Sequence, residues 1–192
     1  MSRRGMPSSS RRSILTTFVF ETHSISEDNE RGIATGWLPG ALSARGRELA
    51  AELGRRRRDT TDVVLTSDLR RAVETAEIAF TGCAVPIHQD VRLRECNYGD
   101  LNGATVSDVH ARRLDHLTEP FPNGQSYTDC VDGVRSFLED LAEYDGRRVL
   151  VVGHSATRWA LEHLLLGTPL RDAIMAPFAW QAGWEYPLTP AR

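Results

Sequence analysis

The stretch RRVLVVGHSATRWALEHLLLG, residues 147–167, decides the fold class. After its two arginines, the apolar run inside 147–154 shows no polar alternation. That is the pattern of a strand covered on both faces, and such strands belong to parallel sheets flanked by helices. A helical segment, 155–167, follows at once and closes on Gly167, the residue type that most readily takes a left-handed helix cap. His154 stands at the junction.

Reading outward from there, 126–144 carries Val131, Val134, Phe137, Leu138 and Leu141 at helical spacing, and 104–118 is a second helical window. DVVLTS (62–67) predicts a short buried strand, followed by the helix DLRRAVETAEIAF (68–80), with Asp68 at its start where the dipole favours an anion. SARGRELAAELGRRRR (43–58) predicts a helix capped by Ser43, with Leu49, Ala50 and Leu53 on one face and the arginine run at its negative end. ILTTFVFE (14–21) predicts a strand, after which a loop of about twenty residues runs to LPGALS. A last strand is predicted near 178–186, where Trp180, Trp184 and Tyr186 alternate as sheet residues do, with a substrate wall as the alternative role for these aromatics. No internal repeat occurs. Strands alternating with helices imply an α/β fold, a three-layer α/β/α sandwich with a mostly parallel sheet.

The chain has 192 residues, which suits one domain, assigned to 14–192. Its first dozen residues hold four arginines and no acid, so 1–13 is expected to be a disordered basic tail, leaving a body more acidic than the whole chain's net −3. An acidic body argues against nucleic acid as a partner, because that recognition neutralises phosphates with a basic face. No run reaches the roughly 18 apolar residues of a membrane span. The tail also lacks the apolar core of a secretory signal, so a cytoplasmic protein is expected. All 23 basic residues are arginine, and no mechanistic weight attaches to that. Cys83, Cys96 and Cys130 are widely spaced and fit neither a disulfide framework nor a zinc site, so no metal is expected. A homodimer is left open.

In sheets of this kind ligands bind at the carboxyl ends of the strands, where His23 and His154 both emerge. Arg71 opens the helix after a third strand on the same rim. Two imidazoles, a guanidinium and helix N-terminal amides together suit a phosphate dianion. A competing motif, GHSAT (153–157), is close to a hydrolase nucleophile elbow centred on Ser155. It lacks the final glycine, and the one histidine after it, His163, falls inside a helix. Ser155 is better read as a helix N-cap whose amide faces the site. His110 and His116, six apart in a polar window, are expected at the solvated surface.

The same segments resemble the histidine phosphatase superfamily, the phosphoglycerate mutase-like fold. THSISEDNERGIATGW sets His23 on that family's nucleophile, Asn29 on its asparagine and Gly36-Trp37 on a later pair. SDLRRAVETAE supplies Ser67, Arg71, Ala72, Thr75 and Ala76 in register, RLRECNYGDLNG places Glu95 on the acid, FPNGQS resembles a Pro-Gly-Gly-Glu-Ser segment, and VLVVGHS places His154 on the second histidine. The resemblance implies hydrolysis of a small phosphomonoester through a phosphohistidine on His23, with Glu95 as acid and base. It implies that His154 and Arg71 hold the equatorial oxygens, with Thr22, Ser24, Asn29 and Ser155 completing the substrate site, and that no cofactor is needed. Mutases of the family carry longer insertions over the site, which a chain of this length has little room for.

One departure stands out, since the family's Arg-His-Gly is here Thr22-His23-Ser24. Exchanging a forked cation for one hydroxyl removes roughly 1.5–3 kcal/mol of charged hydrogen bonding. Three readings follow: Arg31 or Arg158 swings in to replace it, the phosphatase is slower or tuned to a substrate bringing its own positive group, or the scaffold now binds a phosphorylated ligand or runs another reaction.

Overall fold

The computed structural model describes residues 16–188. The basic tail, 1–13, lies outside the described residues. In chain order the regular elements are β1 (Thr16–Thr22), α1 (Glu27–Glu30), α2 (Ala44–Arg57), β2 (Val63–Thr66), α3 (Arg70–Ala79), β3 (Ile87–Gln89), α4 (Val106–Arg112), α5 (Tyr127–Asp140), β4 (Val149–Gly153), α6 (Ser155–Leu166), α7 (Leu170–Met175) and β5 (Trp184–Leu188). The sheet runs β3-β2-β4-β1-β5, parallel through its first four strands, with β5 antiparallel on the edge of β1.

Strand alternation sorts side chains between two helical layers. Phe18, Phe20, Val63, Leu65, Val149 and Val151 face α5 and α6, meeting Val131, Val134, Phe137 and Leu161. Val64, Leu150 and Val152 face α2 and α3, meeting Leu53, Ala72, Ala76 and Phe80. Strand β4 lies between β2 and β1 under both layers and is buried at every position, which is why its sequence shows no alternation. Gly167 ends α6 at φ 71°, the left-handed cap its position implied. Ser43 caps α2, accepting a hydrogen bond from Gly46 N–H at 3.1 Å. Among the described residues no helix is long and apolar enough to cross a membrane.

Three details differ from the sequence expectation. The last strand is 184–188, not 178–186. Its pairing with β1 runs from Thr16↔Leu188 to Phe20↔Trp184, and Gly183, at φ 90°, turns the preceding residues off the sheet edge. Trp184 and Tyr186 therefore pack on Phe20 and Phe18, at 6.0 and 5.6 Å between rings, while Trp180 stands outside the sheet. Helix α3 starts at Arg70 with Leu69 as its cap. Asp68, two residues before the helix, binds Arg94 at 2.7 Å instead of the helix end. The cap of α6 is His154, and Ser155 is the first helical residue.

Candidate active site

Sheet register alone brings the two histidines together. Thr22 at the end of β1 pairs with Gly153 at the end of β4, so the next residue of each strand is a histidine at the same level. His23 N–H donates to Gly153 C=O at 2.9 Å, and the two imidazole centroids lie 4.9 Å apart. Strand β2 adds a third neighbour by the same logic: Ser67 N–H donates to Val152 C=O at 3.0 Å, and the Ser67 hydroxyl lies 2.9 Å from His154 Nε2. Arg71 then enters from the first turn of α3.

The protonation of this cluster follows from its hydrogen bonds. His23 Nδ1 sits 2.7 Å from Ser24 C=O and must donate to it, which leaves Nε2 as a lone pair. Arg71 Nε donates to that Nε2 at 3.3 Å. Burial first, and then the Arg71 charge, hold His23 down to about 3, so the ring is neutral. His154 is buried completely, and burial, Arg71 and His23 hold it well below the usual histidine range. The Ser67 hydroxyl accepts from Leu69 N–H at 3.2 Å and shares a hydrogen bond with His154 Nε2 at 2.9 Å, which fixes the plane of that ring.

Arg71 is 2% exposed, and burial lowers its pKa from the usual guanidinium value. Its Nη2 donates to Gly36 C=O at 2.9 Å, a carbonyl presented by a backbone at φ 53°. A side chain there would put its Cβ 1.8 Å from Asn102 Oδ1, so position 36 requires glycine. Arg71 Nη1 and His154 Nδ1 are both buried without a partner. A buried guanidinium N–H left unpaired costs about 1–3 kcal/mol, so the Arg71 end of this cluster is a candidate anion site.

Glu95 closes the cluster from the loop after β3. Its Oε1 accepts from Cys96 N–H at 2.9 Å and from Ala156 N–H, in the first turn of α6, at 3.2 Å. Its backbone is fixed too, since Trp37 Nε1 donates to Glu95 C=O at 2.7 Å and Trp37 lies under the Arg94 guanidinium, 4.4 Å away. Asp68, bound to Arg94, thus supports the packing under the Glu95 backbone rather than acting as a helix-end charge.

Thr22, His23, Ser24, Asn29, Arg71, Glu95 and Ser155 all line one cavity of about 830 Å³. Asn29 is partly engaged: its Oδ1 accepts from Ser26 N–H at 3.0 Å and so completes the capping box of α1, whose N-cap is Ser26. Neither arginine considered for the missing motif position reaches the cavity wall. Arg31 is exposed and pairs with Asp28 at 2.6 Å, while Arg158 is buried behind the wall, stacked on Trp184 and Phe178 at 5.1 and 5.5 Å. His163 binds Thr168 C=O at the far end of α6, so no hydrolase triad forms around Ser155. His110 is exposed, whereas His116, expected to be solvated, stacks on Phe121 at 3.9 Å.

Sequence reasoning missed much of the wall. Leu49 and Leu53 of α2, Tyr98, Val106 and Val109 line it, as do Arg113 and the residues Phe178 and Trp180. The even spacing of Trp180 from Trp184 and Tyr186 favours sheet packing, and of the two readings the wall is the one Trp180 follows. Only the turn at Gly183 reveals this.

The parallel α/β sheet brings His23 and Arg71 to the wall of one cavity and holds His154 enclosed just behind it, an arrangement that makes this a candidate anion-binding α/β protein. Residues 21–180 match the histidine phosphatase superfamily (branch 1). The chain belongs to that superfamily. A phosphoglycerate mutase of the 2,3-bisphosphoglycerate-dependent type from Cytophaga hutchinsonii is 33% identical over 157 residues, 74% of either chain. Among solved structures, Bacillus stearothermophilus YhfR superposes with TM-score 0.77 at 27% identity, covering 88% of this chain and 89% of its own. A mycobacterial glucosyl-3-phosphoglycerate phosphatase superposes with TM-score 0.71 at 26% identity, covering 84% of each. Phosphatases and mutases both occur among these relatives, and a phosphatase-type enzyme acting on small phosphate esters is the reading they support.

Proposed function

We propose that this chain hydrolyses a small phosphomonoester through a phosphohistidine on His23. The observation that supports this reading is a neutral imidazole with an unprotonated Nε2, set beside a buried Arg71 Nη1 and a buried His154 Nδ1 that both lack partners. His23 Nε2 attacks phosphorus, the P–O bond to the alcohol breaks, and Glu95 gives its proton to the departing oxygen. Arg71 and His154 hold the equatorial oxygens, where charge gathers in the transition state. Glu95, now a carboxylate, takes a proton from water as that water attacks phosphorus. The P–N bond breaks, phosphate leaves and His23 is neutral again.

Hydrolysis is favoured over phosphoryl return to substrate because the wall segment between Glu95 and α5 holds one seven-residue helix, α4, and short turns, with no long covering insertion. Thr22 in place of arginine favours a second reading, a protein that binds a phosphorylated ligand without turning it over. Incubation with p-nitrophenyl phosphate separates the two. Wild type is expected to release phosphate and to carry acid-labile label on His23 after a rapid quench, and His23→Ala is expected to lose both. Release that survives His23→Ala ends the phosphohistidine reading. No release from either protein, with inorganic phosphate still raising the melting midpoint, selects the binder.

A further inference from the structure

Beyond the phosphate end, the cavity changes character. Leu49 and Leu53 form one side, and Ile25, Val106, Phe178 and Trp180 stand around the opening. The last four are 37%, 43%, 56% and 60% exposed, so half of the chain's conspicuous exposed apolar side chains among the described residues gather at one concave site. Scattered exposed hydrophobics are ordinary, whereas a contiguous set around a pocket marks a ligand surface.

The aromatic part of this wall is held in place. Arg56 of α2 lies over the Trp180 ring at 5.8 Å, and Arg158 lies over Phe178 at 5.5 Å. Between Trp180 and β5, Arg57 donates to Ala182 C=O at 2.8 Å. The cations at the rim are already engaged, Arg45 with Glu48 at 2.9 Å and Arg56 with Glu21 at 3.7 Å. Arg113 turns its guanidinium onto Trp159 at 4.8 Å and donates to Ile174 C=O, leaving one buried Nε without a partner.

We infer that the substrate is the phosphomonoester of an apolar or aromatic alcohol, whose hydrocarbon part lies between Leu49, Leu53, Phe178 and Trp180 while its phosphate meets His23 and Arg71. The inference rests on the phosphomonoesterase reading for turnover and on the cavity alone for binding. The rival ligand is an ester carrying a carboxylate, which Arg113 Nε would hold.

The test compares benzyl phosphate, ethyl phosphate and 3-phosphoglycerate, alkyl esters with similarly basic leaving oxygens, in wild type and Trp180→Ala. One methylene in a fitted apolar pocket changes kcat/KM by about 10- to 200-fold, so benzyl phosphate is expected to exceed both others by about tenfold or more. Trp180→Ala is expected to bring the benzyl-to-ethyl ratio within about threefold of unity, a ratio that does not depend on the fraction of protein folded. A wild-type ratio near one, a ratio unchanged by Trp180→Ala, or 3-phosphoglycerate as the best ester overturns the inference. A binding arm keeps it independent of catalysis: benzylphosphonate is expected to bind about tenfold more tightly than ethylphosphonate by calorimetry. If no ester turns over but that preference holds, the phosphatase reading falls and this one stands. Equal binding of the two phosphonates refutes it.

Discussion

Substituting Thr22→Arg asks whether charge at the motif position limits the reaction. Thr22 is the last residue of β1 and lines the cavity immediately before His23, so a side chain there has the phosphate end within reach. Arg31 and Arg158 are both committed elsewhere, which leaves Arg71 as the guanidinium at the cluster. One added charged hydrogen bond to a phosphate oxygen contributes about 1.5–3 kcal/mol, and at ~1.4 kcal/mol per tenfold that is roughly 10- to 150-fold. Part of the gain is offset because a second guanidinium joins one whose own charge is already disfavoured by burial. The expected result is therefore near the low end, about tenfold in kcat/KM for ethyl phosphate, an ester too small to draw on the apolar wall. A melting scan checks that the variant folds. If folded Thr22→Arg hydrolyses ethyl phosphate no faster than wild type, Arg71, His154 and the α6 amides already balance the dianion, and charge at position 22 is not what limits the site.

Two further outcomes follow from the geometry. Glu95→Gln keeps an acceptor for the Cys96 and Ala156 amides but cannot deliver a proton. Turnover of ethyl phosphate should then fall about 10²- to 10⁴-fold, while the burst of p-nitrophenolate, which leaves without a proton, should fall far less; equal losses would remove Glu95 from the acid role. His23, held to about 3 in the folded protein, and His154, held well below its usual range, must stay neutral in the fold yet take up protons when it opens. For His23 the unfolded chain takes up the extra proton between about pH 3 and 6.5, so its contribution to stability is fully present above the unfolded histidine value and is lost as pH falls, by about 1.4 kcal/mol per pH unit, with His154 acting in the same direction. Urea denaturation of wild type and His23→Gln across pH 4–7 checks this, and parallel slopes would show that His23 is not a buried neutral base.

The layers, the helices on either face and the histidine pair were legible because each rests on a local pattern that tertiary packing reinforces. An unalternating run such as 149–153 has few fates, and a residue following a parallel strand has one exit. The helix-start reading of Asp68 and the sheet reading of Trp180, favoured over a substrate wall, failed for the opposite reason. Both residues obeyed a local rule, a helix-start anion and a two-residue alternation, and both were captured by partners distant in sequence, Arg94 and Arg56. The apolar wall was illegible as such: Leu49 and Leu53 fit an ordinary core-facing stripe of α2, and only the folded chain shows Leu49 and Leu53 at a cavity edge. Glycine 36 was readable as part of a motif, but its purpose, presenting a carbonyl to Arg71, needs the backbone.

The threonine at position 22 and the apolar wall bear on one another. Binding energy from a part of the substrate remote from phosphorus can be spent on orienting the reacting groups, and that use matters most where the direct grip on the phosphate is weak. On the proposed reading that grip consists of Arg71 and His154, with Thr22 offering a hydroxyl in place of a forked cation. A hydrocarbon group seated on Trp180 and Leu53 would hold the ester in line with His23 without asking more of the phosphate donors. On that argument the wall and Thr22→Arg should not act additively. The variant should raise ethyl phosphate turnover more than benzyl phosphate turnover, because the benzyl ester already gains its orientation from the far end of the cavity. An equal gain on both esters would separate the two features and leave the wall with a role in affinity alone.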